Sequence, residues 1–191
     1  MRKVILIGMA IAVAAFASPL VAGASASNWK SHGVEITESH NIPMQGTLST
    51  TGEAGGLTCG SVKAELRLEP GSAGKVTALE IPTSYCHGTG GMAGCAVTSI
   101  TVENIPWGIH DLATKISVSG TSITFTYTGF LCPRIINYSG EGMTLTPDNM
   151  SQIHSLTVSG LLQATYPSGS NISISGSLSP VNASDSGLYG L

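Results

Sequence analysis

The chain predicts an all-β protein: a single-domain β-sandwich, Greek-key or jelly-roll-like, with about eight to ten strands and two disulfides. Three observations predict it. Residues 62–69 alternate apolar and charged side chains with a period of two, as in a strand with one face on a core and the other in water. Runs of the same kind recur at the short, regular spacing of all-β domains. Four cysteines, Cys59, Cys86, Cys95 and Cys132, follow an export-type leader, a setting in which cysteines read as disulfides. A sandwich or a Greek-key barrel buries such strands.

The leader comes first. Arg2 and Lys3 precede an apolar run over 4–16, Pro19 interrupts it, and Ala24-Ser25-Ala26 gives the small-x-small pattern of a cleavage site. The run falls short of the about 20 apolar residues of a membrane helix. Residues 1–26 therefore read as a signal peptide, 27–180 as the domain and 181–191 as a flexible tail. Cleavage leaves 165 residues with six basic against eleven acidic side chains, a net charge of −5. That balance offers no basic face for a phosphate backbone, so nucleic acid is not an expected partner. Charged residues make up only 10% of the chain; Ser, Thr and Gly replace them, so the surface is neutral and hydroxyl-rich, with little like-charge repulsion.

The strands follow in order. Weaker candidates lie at 34–37 and 44–49. In 62–69, Val62, Ala64, Leu66 and Leu68 share one face; Lys63, Glu65, Arg67 and Glu69 share the other. Pro70-Gly71-Ser72-Ala73-Gly74 is a loop, and 75–81 returns. A hairpin centred between Ser72 and Ala73 sets positions summing to 145 opposite each other. Cys59 and Cys86 satisfy that sum, so they are expected to bridge; Cys95 and Cys132 remain as the second pair. Glu65 and Glu80 satisfy it too. Further strands are expected at 96–103, at 115–119 and 122–128 as a tight hairpin about Gly120-Thr121, at 142–146, and at 154–166 and 171–178 as another hairpin. Residues 147–153 are the one expected helical turn, capped by Thr146.

Chemistry is sought first in SYCHGTGGMAGC, residues 84–95. An oxyanion loop would need a G-x-S-x-G nucleophile elbow, and a phosphate loop a following helix and a Lys; neither accompanies it. Oxidised Cys86 and Cys95 are poor metal ligands beside His87. The stretch reads as a crossover between tethered strands. His32, His40, His110 and His154 are scattered, and His110-Asp111 are neighbours that a strand points to opposite faces. Trp107 reads as a core plug at a strand bend, and Trp29 lies near the mature N-terminus, where packing is less assured. Asn137, Asn149, Asn171 and Asn182 each begin an Asn-x-Ser sequon. No catalytic, cofactor-binding or metal residue is assigned; the site residues are the four cysteines.

The stretches GGLTCGSVKAELRLEPGSAGKVTALEI, GCAVTSITVENIPWGIH, ITFTYTGFLCP, ISGSLSP and LYGL resemble small exported all-β bacterial proteins and are distantly similar to the alkane-oxidation-activator family. That resemblance implies a surface or matrix protein with no enzymatic residues to carry over. The expected function is accordingly that of a secreted structural or interaction protein of the cell surface or extracellular matrix, not an enzyme and without cofactor. It is expected to self-associate through edge strands or to meet other surface proteins, with no membrane insertion after cleavage. Residues 27–44 are the expected exchanged arm. The alternative is a monomeric extracellular module for a small apolar or carbohydrate ligand.

Overall fold

The computed structural model describes residues 28–53, 55–111, 115–166, 170–182, 185 and 189–190; the expected signal peptide lies outside them. Eight strands form a closed antiparallel barrel. They are β3 (His40–Gly52), β4 (Gly55–Leu68), β5 (Ala73–Glu80), β8 (Trp107–Asp111), β9 (Ile116–Ser119), β12 (Met143–Pro147), β13 (Leu156–Tyr166) and β14 (Asn171–Pro180). Each pairs with the next in the order β3-β4-β5-β8-β9-β12-β13-β14, and β14 pairs with β3 to close the ring. The expected sandwich is thus corrected to a barrel with added strands. The physical reason is β12, which hydrogen-bonds to β9 on one side and β13 on the other. The sheet closes on itself and needs no second sheet to cover its apolar face. Gly46 lets the wall close: a Cβ there would run into the Ser177 carbonyl of β14.

Alternation decides what faces inward. Val62, Ala64, Leu66 and Leu68 of β4 are buried as expected, and so are Ile42, Met44 and Leu48 of β3 and Ile172, Ile174 and Leu178 of β14. The barrel axis is filled by side chains. The space left beneath Trp29 and Ile109 is about 20 Å³, about what one water needs.

The long strands overrun the barrel. Residues 63–68 of β4 pair with β5, while 56–59 pair with β6 (Cys86–Thr89). Residues 156–159 of β13 pair with β12, while 163–166 pair with β11 (Ile135–Gly140). Beyond β11 come β10 (Thr121–Thr128) and β7 (Ala96–Glu103), which makes a second, shorter body on the same backbone. Its inward residues Ile123, Phe125, Tyr127 and Tyr138 join the barrel residues in one continuous core. The expected hairpin of 115–128 is corrected here. At Gly120 (φ +77) the chain leaves β9 in the barrel and enters β10 in the added layer, and the two strands do not pair among the described residues.

A small sheet closes one end: β1 (Lys30–Ser31), between β2 (Val34–Glu35) and β15 (Tyr189–Gly190). Trp29 is 1% exposed beneath it. The described part of the expected arm 27–44 is therefore folded into its own chain, and its residues 40–44 are central barrel strand. Tyr189 and Gly190, expected in a loose tail, are tied to β1 and to the Ile153 amide. No helical turn forms at 147–153. Asp148 Oδ1 accepts from the amides of His154 and Ser155, and Asn149 Oδ1 from that of Ser151, so side chains satisfy amides that a helix would have used. The described residues include two complete 3₁₀ turns, η1 (Thr83–Tyr85) and η2 (Gly90–Met92), and Asp185 is in 3₁₀ conformation as well.

Candidate functional site

Both disulfides join the expected partners, Cys59 to Cys86 and Cys95 to Cys132, and disulfides indicate an oxidising compartment. The first forms by a different route from the hairpin arithmetic. In β4–β5 the facing positions sum to 142 near the turn, as in Arg67–Lys75, and to 143 beyond the irregularity at Glu65/Leu66, as in Lys63–Glu80. Only in β4–β6, after η1, does the sum become 145. Glu80 consequently faces Lys63, 3.8 Å away, and Glu65 faces Ala78; the expected pairing of two glutamates does not occur.

The stretch 84–95 is organised by backbone packing. Gly88, on β6 opposite Leu57, lies where a Cβ would strike the Met92 carbonyl, and a Cβ on Gly55 (φ +113) would sit 2.7 Å from the Met92 amide nitrogen. The glycines let η2 fold down on the β3–β4 hairpin, and Met92 is buried there. His87 is exposed on this strand. Of the other histidines, His32 lies in the turn before β2, His40 against Tyr189, His110 on β8 and His154 beside Asp148. Among the described residues no three His, Cys, Asp or Glu side chains gather in a metal-binding group.

Two surfaces are organised. The first is the outer face of β12, β13, β14 and β3, none of which carries Asp, Glu, Lys or Arg. The register aligns its hydroxyls in rows. Thr146, Thr157, Ser177 and Thr47 form one; Thr144, Ser159, Ser175, Ser49 and Thr58 form the next. Within the second row Thr144 and Ser159 hydroxyls are 3.0 Å apart, and Ser49 donates to Thr58 at 3.3 Å. A parallel network crosses the added layer. Ser122 and Thr124 donate to the Glu103 carboxylate, Asn137 Nδ2 donates to Thr124 Oγ1 at 2.6 Å, and Thr165 donates to Asn137 Oδ1. The sequence signals Thr124 as outward by alternation, but nothing local joins it to Glu103, Asn137 and Thr165 from three other strands.

The second is the loop end of the added layer, where the β3–β4 hairpin, η2, strands β10 and β11 and the start of β14 meet. A cleft of about 60 Å³ is lined there by Thr50, Met92, Tyr127, Tyr138, Asn171 and Ile172 among others. Burial raises the Tyr127 phenol, reinforced by Tyr138, and burial raises the Tyr138 phenol as well. Phe125 stacks on Tyr127 and meets Tyr138 edge-on, at centroid distances of 6.3 and 6.1 Å. Near this end Phe130 and Leu131 are 91% and 89% exposed, on a loop that Cys132 ties to Cys95.

The tryptophans are structural. Trp107 is 1% exposed and donates through Nε1 to the Glu103 carbonyl at 2.8 Å, the core plug expected of it. Trp29, expected to be less ordered, is equally buried. Of the sequon residues, Asn149, Asn171 and Asn182 are exposed, whereas Asn137 is held in the hydroxyl network. Among the described residues no helix is long and apolar enough to cross a membrane. No family model, no curated protein and no solved structure matches the chain.

Proposed function

We propose that this is a secreted, non-catalytic structural or interaction protein of the cell surface or extracellular matrix, working through the hydroxyl rows of β12, β13, β14 and β3. The observation that carries this reading is the absence of charge from all four strands, combined with the alignment of their Ser and Thr side chains. Hydroxyls are far less costly to strip of water than charges, and each both donates and accepts. Such a face meets polyhydroxylated matrix, or another copy of itself, without like-charge repulsion. The signal-type leader, the two disulfides and the resemblance to small exported proteins support placement outside the cell.

Closure of the barrel removes the edges of eight strands, so association by strand addition is left to the short strands β2, β6 and β15 and to β7 at the rim of the added layer. The longest of these, β7, pairs with β10 alone among the described residues, and its ladder is interrupted at Thr98. Interruptions of this kind blunt an edge, which favours the hydroxyl face as the contact surface.

The test compares the mature protein with a Ser175→Lys/Ser177→Lys variant. Self-association is read by light scattering and retention by sedimentation with insoluble cellulose and chitin. Both serines are exposed, so the variant should keep the native melting temperature and lose association, retention or both. Equal behaviour of the two proteins would remove this face from the function.

A further inference from the structure

We propose that the loop between β10 and β11 is a shallow membrane-docking tip, which sets Phe130 and Leu131 into the headgroup boundary of a zwitterionic lipid bilayer. It is separate from the hydroxyl face and does not depend on it. Seven large apolar side chains are exposed among the described residues, and three of them, Phe130, Leu131 and Ile135, fall within six positions. Phe130 and Leu131 stand almost wholly in water, where leaving such side chains is unfavourable. The backbone that presents them is held in place. The Tyr127 amide donates to the Arg134 carbonyl at 2.9 Å and closes the loop at its neck. Cys132 is bonded to Cys95, and a Cβ on Gly129 would sit 2.8 Å from Cys132 Sγ, so the base of the loop packs tightly on the disulfide. Leu131 has φ +63, a left-handed conformation that is costly for a bulky side chain. With so much of both side chains in water, packing within the chain does not offset that cost; transfer to an apolar medium outside it does.

The surroundings point to lipid as that medium. Side chains this exposed project from the surface, so they enter a fluid layer without needing a matching pocket. Residues 86–102 and 121–140, which hold the tip and its neighbours, contain no Asp or Glu; their one arginine is Arg134 and their one histidine His87. Glu103 faces Ser122, at the end of β7 and β10 away from the loop. One carboxylate does reach the loop end: Glu53, which lines the cleft with Tyr127 and Ile136. A guanidinium and a carboxylate match a headgroup layer that holds a phosphate and an ammonium. Arg134 is exposed beside Ile135, and a guanidinium bonds phosphate oxygens in pairs. The acidic balance of the chain opposes a strongly anionic membrane. Two apolar side chains make a peripheral, reversible contact, weaker than that of a myristoyl chain, and no strand enters the bilayer.

The experiment is co-sedimentation of the mature protein with sucrose-loaded vesicles of phosphatidylcholine and phosphatidylethanolamine, at lipid up to about 10 mM because so small an anchor partitions weakly. Wild type is compared with Phe130→Ser/Leu131→Asn, in which asparagine tolerates the left-handed backbone. A second comparison is Val34→Ser, which removes an exposed apolar side chain elsewhere on the surface. The expected result is that wild type and Val34→Ser sediment with the vesicles, while the double variant partitions at least about tenfold less. The double variant's melting temperature should not fall, because neither side chain is packed. The proposal is overturned if wild type stays in the supernatant, if the double variant sediments equally, or if Val34→Ser loses as much. A dimer seen by light scattering in wild type, absent from the double variant and indifferent to lipid, would also overturn it and make a second copy the occupant. Ser175→Lys/Ser177→Lys should sediment as wild type does, which separates the tip from the hydroxyl face.

Discussion

Trp29 Nε1 donates to the Ala73 carbonyl oxygen at 2.9 Å, joining the start of the described chain to the β4–β5 turn 44 positions later. The Trp29 amide donates to the Gly71 carbonyl of the same turn, and the Ile36 amide to the Trp29 carbonyl. A segment anchored by a buried indole and three such bonds is part of the core. Trp29→Ala should cost about 3–5 kcal/mol, the usual range for deleting a buried aromatic. Urea unfolding checks this; a change below about 1 kcal/mol would show that the end of the barrel holds without its plug.

The two disulfides close loops of 28 and 38 residues counted inclusively, from separations of 27 and 37. The chain-entropy model assigns each about 3.5–4 kcal/mol, a large part of the roughly 5–15 kcal/mol expected of a whole domain. Cys59→Ala/Cys86→Ala and Cys95→Ala/Cys132→Ala should each lower stability by about that amount, with the 38-residue loop slightly the greater. Denaturant midpoints of the two paired variants decide it. Equal stability of the wild type with and without reductant would contradict both values.

Part of this fold was legible because it is local. In β4 the alternation from Val62 to Leu68 needs no partner to be read, and β7 and the β13–β14 hairpin follow from pattern and turn residues alone. The barrel was not legible, because closure depends on β12 pairing with both β9 and β13, a long-range choice that no short window records. The same limit explains β10. Gly120-Thr121 looks like a hairpin turn, yet the chain uses Gly120 to change layers. The cysteine register shows how a correct pair can rest on the wrong geometry. Thr77 is an extra residue in β5, since Glu65 faces Ala78 while Leu66 faces Val76, and η1 adds two more before Cys86 meets Cys59. The loop-end cleft was missed for a related reason: Tyr127 and Tyr138 share a cavity only because β10 and β11 pair.

Asp148 gives the fold one pH-sensitive turn. Slight desolvation pushes its carboxyl upward. The amides of Ser155, His154 and Asn149, together with the nearby His154 charge, outweigh that push and hold it below the usual carboxylate value. A depressed folded pKa contributes stability that is present above the unfolded value, about 3.9, and lost as pH falls through the folded one. The contribution is small at so exposed a site, below about 1 kcal/mol. Asp148→Asn keeps an acceptor oxygen but cannot titrate. Wild type should therefore exceed this variant at about pH 5, and the margin should shrink below about pH 4. Urea midpoints of both proteins across that range measure it; a margin that grows on acidification would reverse the assignment.

The glycine-rich stretch between Cys86 and Cys95 separates into residues that the packing requires and residues that it does not. A Cβ on Gly88 would collide with the Met92 carbonyl, and backbone atoms cannot swing aside as the end of a side chain can. Nothing lies within 4 Å of a Cβ built on Gly94. Its φ lies outside the left-handed region, so alanine is tolerated there without strain. Gly88→Ala should therefore destabilise by about 1–3 kcal/mol, as overpacking does, while Gly94→Ala should stay within about 0.5 kcal/mol of wild type. A recognition or catalytic loop would show another pattern, with both variants folding normally and function falling in each. Thermal melts of the two variants distinguish these cases. If Gly88→Ala melts like wild type, the glycines are not there for packing, and the role of the loop must be sought in what it touches from outside.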